Sequence, residues 1–193
     1  MTRYDHRDIR AQCIDNRHDI AVEAGTAAVV EAGIDRAACP IASLTMAEGE
    51  IARIGPEKCT GHILAASYFQ TLGAEVNRKF VAAYKARYGA EATTSVWSEP
   101  AYNQVHLFAR ALERAGGLDT RRIGQEVLGE EFEAPGGLIH VDADTRHTWL
   151  TPRIGVARAD GLFDIVWEGA GLVRPDPYLA TTRFEEPSLR EWG

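Results

Sequence analysis

The last third of the chain, from Phe132 to Tyr178, sets the tightest limits on what the molecule can fold into. Short apolar runs alternate there with turn residues: Leu138-Ile139-His140-Val141, Pro152-Arg153-Ile154-Gly155-Val156 and Phe163-Asp164-Ile165-Val166-Trp167. Gly136-Gly137, Asp142 to Asp144 and Asp160-Gly161 stand between them. β-Branched residues bounded by Gly and Asp predict strands joined by tight turns. Asp-Gly readily takes the left-handed backbone that a short hairpin loop demands, so Asp160-Gly161 predicts a hairpin.

Upstream the period changes from two to about 3.6, the mark of helices. Val76 to Tyr88 places Val76, Phe80, Ala83, Tyr84 and Tyr88 near one face, with Gly89 as its stop. After an extended piece over Ser95 to Trp97, Ser98 to Ala115 has Ser98 as N-cap, Glu99 and Pro100 in the first turn and Gly116-Gly117 at the end. Its apolar stripe is Tyr102, Val105, Leu107, Phe108, Ala111 and Leu112. A shorter helix is predicted over Thr120 to Leu128. Nearer the start, Ala27 to Gly33 reads as a helix end. Ile41 to Leu44 and Gly61 to Ser67 read as strands, with a helix between them that ends at Gly55-Pro56. Thr45 with Glu48 three residues on fits a capping box for that helix. Helices alternating with strands, then a run of strands, predict an α/β protein. Met1 to Gly25 is charged and poorly patterned and is left unassigned, with 26–193 as one further unit.

Composition excludes several classes. A formal charge of −7 argues against a nucleic-acid surface. No window approaches the roughly 20 apolar residues that span a bilayer, so no membrane insertion is expected. Met1 to Ile20 lacks the apolar core of a signal peptide. Cys13, Cys39 and Cys59 are too widely spaced for a zinc site and read as free thiols. The six histidines form no HExxH or i, i+4 pair. Asp142 and Asp144 make an Asp-x-Asp turn without the downstream Glu of a calcium loop. There is no GxSxG elbow, no Walker A loop and no GxGxxG, so no cofactor and no catalytic constellation is expected.

Several short motifs, in order and spacing, carry a family resemblance. They are Pro40-Ile41-Ala42-Ser43-Leu44-Thr45, Ser67-Tyr68-Phe69, Trp97-Ser98-Glu99-Pro100-Ala101-Tyr102, Ala134-Pro135-Gly136-Gly137, His147-Thr148-Trp149, Arg153-Ile154-Gly155, Asp160-Gly161-x-Phe163 and Arg174-Pro175-Asp176-Pro177-Tyr178. Together they resemble the C-terminal portion of type I periplasmic binding proteins. The likeness is to the branch that takes urea or short-chain amides, in amide ABC transporters and in the aliphatic amidase regulator. It runs over about Thr26 to Tyr178. It implies pieces of two α/β lobes, with Ile41 to Ile54 in one, Gly61 to Phe69 as a crossing and Val76 to Leu128 in the other. The family's N-terminal half is expected to be missing, leaving apolar sheet faces uncovered and the chain marginally stable or self-associating.

The same resemblance implies a non-catalytic module whose ligand sits between lobes, near strand ends. Tyr68 and Phe69 follow a strand and suit closure over a small neutral solute, or else pack in the core under a hinge. Ser43 and Thr45 offer hydroxyls to an amide or serve as caps. Trp97, Glu99 and Tyr102 lie at a helix start, where Glu99 also complements the dipole and Tyr102 also suits the core. Arg174 and Asp176 are expected to pair on a surface strap. The implied partners are a urea or amide ligand and either an ABC permease or a transcription-control protein. Those two settings place the parent in the periplasm or the cytoplasm. Competing readings are a remnant without ligand binding and a small α/β enzyme of another type.

Overall fold

The computed structural model describes residues 40–177, together with 25–26, 28–29, 32–34 and 179. The readings on Cys13, Cys39, His6, His18 and Tyr178 fall outside the described residues. Two bodies share the chain. The first is a four-stranded sheet in the order β1-β2-β6-β7, formed by β1 (Ala42–Ser43), β2 (Ile63–Ala66), β6 (Arg153–Ala157) and β7 (Phe163–Glu168). β1 and β2 run parallel, linked through α1 (Glu48–Ile54) and α2 (Pro56–Cys59). β6 lies antiparallel to both neighbours. The Asp160-Gly161 turn joins β6 to β7, and Gly161 sits at φ +84°.

Paired residues on neighbouring strands share a face of the sheet. One face holds Leu64, Gly155 and Ile165. Met46, Ala47, Ile51, Cys59, Phe69 and Phe163 close a buried core there. A bulge at Ile154/Gly155 accompanies a tight approach: a Cβ on Gly155 would stand 2.6 Å from the Phe69 ring. The other face carries Ile63 beside Val156, and Ala65 beside Ile154 and Trp167. Trp167 is 50% exposed on this face, and Ile63, Ile154 and Val156 are half-buried.

The second body packs α3 (Glu75–Tyr88), α4 (Ser98–Ala115) and α5 (Thr120–Glu126) with a sheet ordered β3-β4-β5. These strands are β3 (Glu131–Ala134), β4 (Gly137–Val141) and β5 (Thr148–Trp149). Leu107, Phe132, Ala134, Ile139 and Val141 form one buried cluster, and Ala111, Ala115 and Ile123 another. α4 ends at Gly116 in a left-handed cap, as its sequence requires. α5 starts on Asp119, whose carboxylate accepts from the N–H groups of Arg121 and Arg122.

Several local expectations change. The start of α1 is capped by Glu50, which accepts from Ala47 N at 3.0 Å. Thr45 does not cap it; Ser43 Oγ takes the N–H groups of Thr45 and Met46 at 3.1 and 3.0 Å and so absorbs the turn that Thr45 was expected to serve. Ser98 is the first helical residue of α4 rather than its cap, and Val96-Trp97 form a turn. Gly61 to Phe69 is not one crossing, because Ile63–Ala66 is bonded into the first sheet on both sides; the crossing begins at Ser67. Arg174 is bonded to Asp142 Oδ2 at 3.0 Å and Asp144 Oδ2 at 2.6 Å, instead of Asp176. The Asp-x-Asp turn thus receives a guanidinium. Asp142 is also buried rather than solvated, accepting from Asp144 N, Thr145 N and Trp149 Nε1.

Candidate functional site

The first body hands the chain to the second directly after β2, and the polar side chains converge there. Ser67 to Thr71 forms the crossing. Glu48, first residue of α1, is fully buried, and its Oε1 accepts the Gln70 N–H at 2.9 Å. Burial raises its carboxyl from an ordinary 4.5 to about 7; the Gln70 bond opposes this rise and the nearby Glu50 charge adds to it. Gln70 Oε1 accepts from Thr94 N at 2.7 Å. Thr94 Oγ1 stands 2.7 Å from Tyr68 Oη, which donates to Asn77 Oδ1 at 2.8 Å. Asn77 Nδ2 returns to the crossing, donating to the carbonyls of Gln70 and Leu72 at 3.0 and 2.7 Å. Side chains from α1, α3 and the stretch before α4 thereby fasten one short segment.

A second cluster lies beside it. Glu99, in the first turn of α4, is 3% exposed. Its Oε1 accepts from Asn103 Nδ2 at 2.6 Å and Gly136 N at 3.2 Å. Burial raises its carboxyl; those two bonds and Arg153 offset part of the rise. A side chain at Gly136 would stand 3.0 Å from this carboxylate, so Pro135-Gly136 is shaped by close approach. Arg153 reaches Ser67 O and Glu168 from β6. A hollow of about 450 Å³ opens at this corner, walled by Ala65, Ser67, Leu150, Pro152, Arg153 and Arg174.

The structure places four of the seven expected ligand residues at or beside the crossing. Tyr68 and Phe69 lie in the crossing, Glu99 beside it, and Tyr102 is linked through Phe80, 4.8 Å from Tyr102 and 6.2 Å from Tyr68 between ring centroids. Tyr68 and Phe69 are both fully buried, Phe69 against Phe163. Ser43 and Thr45 are half-buried at the end of β1, and Trp97 is 52% exposed at the start of α4. Sequence reasoning missed Gln70, Asn77, Thr94 and Glu48 as members of the network. Gln70 had one signal, its position directly after the aromatic pair; the others join it only through the fold.

The two α/β bodies meet where the chain leaves β2, with a polar network at that crossing. The chain belongs to the periplasmic binding protein domain family, whose model matches residues 25–184. It has a partial type I fold, with pieces of two lobes joined by crossings. Among solved structures, a solute-binding protein of an ABC transporter from Rhodopseudomonas palustris BisB5, in complex with 3,4-dihydroxybenzoic acid, superposes with a TM-score of 0.66 at 23% identity, over 76% of this chain and 41% of that one. An amino acid ABC transporter substrate-binding protein from Pseudomonas fluorescens Pf-5 gives 0.68 at 16%, over 80% and 42%. Leu/Ile/Val-binding protein homolog 6 of Brucella abortus is 30% identical over 58% of this chain and 29% of that protein. A Geobacillus stearothermophilus protein named limonene hydroxylase is 30% identical over 67% of this chain, but only 24% of its own length is matched. The chain spans under a third of the curated relatives and about two-fifths of the solved ones.

Proposed function

We propose that this chain is the hinge-bearing part of a solute-binding, non-catalytic domain that closes on a small neutral solute, urea or a short-chain amide, and serves an ABC permease in the periplasm. Family membership supports the solute-binding role. One observation carries the choice of a neutral solute: the charges at the junction are unsuited to an anion. Glu48 and Glu99 are buried carboxylates. Arg153 is engaged by Glu168, and Arg174 by Asp142 and Asp144. An anionic solute at this junction would meet acids and arginines already paired, whereas amide N–H groups find hydroxyl and carboxylate acceptors. In this reading the half-buried Ser43 and Thr45 supply acceptors and the exposed Trp97 an aromatic wall, with Tyr68, Phe69, Glu99 and Tyr102 packed behind them as support.

The competing solute class is an aromatic carboxylate, since solved relatives hold 3,4-dihydroxybenzoic acid and benzoate. A thermal melt with millimolar urea, acetamide, propionamide, benzoate or leucine separates the readings. A solute that binds only the folded chain raises the midpoint, by the equivalent of about 2.7 kcal/mol at a hundred times Kd. A shift with an amide or urea alone is expected. A shift with benzoate or leucine instead overturns the neutral-solute reading. No shift with any of them favours a chain without ligand binding of its own.

A further inference from the structure

Glu48 is a buried acid outside the expected ligand residues. It opens α1 in the first body, and its partner Gln70 belongs to the crossing 22 residues later. One carboxylate oxygen holds the Gln70 N–H; the other, Oε2, is buried and has no hydrogen-bond partner among the described residues. That bond ties the helix of one body to the segment on which the two bodies join. Gln70 in turn carries Thr94 and Asn77, so the grip of Glu48 reaches the whole junction.

We propose that Glu48 is a proton-operated clasp, whose change of charge sets how firmly the crossing is fastened to α1. An ionised carboxylate accepts an N–H bond about twice as strongly as a neutral carboxyl does. Losing the proton therefore tightens the local bond, while the buried charge weakens the fold as a whole. The titratable groups that face Glu48 are Glu50 on its own helix and Tyr68 in the crossing, which also feels Glu99. His62 is buried nearby in the chain, with Nδ1 3.2 Å from Met46 Sδ, and has to be followed separately. The inference stands apart from the identity of the solute.

The test is a proton–nitrogen correlation titration of the uniformly nitrogen-15-labelled chain from pH 5 to 9, with the His62 ring protons tracked alongside. The Gln70 amide is expected to shift with a midpoint near 7, matching the raised carboxyl of Glu48. Glu48→Gln, which keeps an acceptor but cannot ionise, removes that shift. Glu50→Gln, which removes the neighbouring charge, moves the midpoint to lower pH. A Gln70 amide that stays still, or one that titrates in the ordinary carboxylate range of about 4 to 5, overturns the clasp. So does a midpoint that follows the His62 ring and survives Glu48→Gln. Should Glu48→Gln not fold, the wild-type and Glu50→Gln titrations still decide.

Discussion

Tyr68 and Phe69 are joined by one peptide bond and point into different cores. The Phe69 ring centroid lies 5.2 Å from that of Phe163, over the first sheet. The Tyr68 ring meets Phe80 of α3 edge-on at 6.2 Å. Successive residues of extended chain face opposite ways, so one dipeptide anchors both bodies. Tyr68→Phe keeps the ring but strips Asn77 Oδ1 and Thr94 Oγ1 of a buried partner. We expect a loss of about 1–3 kcal/mol by chemical denaturation.

Gly155→Ala tests the other anchor. Its new methyl would stand 2.6 and 2.7 Å from two carbons of the Phe69 ring and 3.2 Å from Phe163 Cβ. The Phe69 ring cannot retreat from its buried core without opening it. The expected loss is about 1–3 kcal/mol, read from the denaturation midpoint at unchanged slope.

Stability should peak between two opposed titrations. Glu48 holds its proton to about pH 7 when folded and releases it near 4.5 when unfolded. The folded chain binds more protons in that window, so stability falls as pH rises through it, by on the order of 3 kcal/mol. Asp142 behaves in the opposite sense. The Thr145 N–H, the Arg174 guanidinium and the Trp149 indole hold its carboxyl well below the usual range. Its contribution is present above the unfolded value and is lost as pH falls below about 4. Denaturation curves from pH 3 to 9 should show both limbs, and Glu48→Gln should flatten only the upper one.

Trp97→Ala separates solute contact from stability. The ring is 52% exposed, so the melt of the free chain should move by less than about 0.5 kcal/mol equivalent. The shift produced by an amide or urea should shrink or vanish. An unchanged shift would remove Trp97 from the binding wall.

Trp167, half-exposed beside Ile154 and the exposed Ala65, should promote self-association. Sedimentation is expected to depend on concentration, and Trp167→Lys to weaken that dependence. A sharp melt of a strict monomer would count against it.

The parts legible in the sequence were those with long periods or hard stops. α3, α4 and the β6–β7 hairpin stand where spacing and the stops at Gly89, Gly116 and Asp160-Gly161 put them, but the expected apolar faces hold only in part: Val105, Phe108 and Tyr88 are exposed, while Asn77 and Asn103 are buried. β3 went unread because Glu131-Phe132-Glu133-Ala134 is four residues with only two apolar positions, and β5 because it has two residues. Tyr68 and Phe69 were legible as a strand-end pair, but alternation alone does not say whether a face meets a core or a cleft. Arg174 was read against its near neighbour Asp176; its partners in the fold lie 32 and 30 residues away, which spacing cannot reveal.

The grip of Arg174 on Asp142 and Asp144 has a consequence for ionic strength. Asp144 is 81% exposed at its side chain and Arg174 53%, so mobile ions reach this pair freely. The network around Tyr68 is sealed from them. At 1 M salt, where screening acts within about 3 Å, the strap should loosen while the crossing holds. Salt therefore addresses one fastening of the molecule and leaves the other untouched, and protease cutting near residues 171–177 would count the difference.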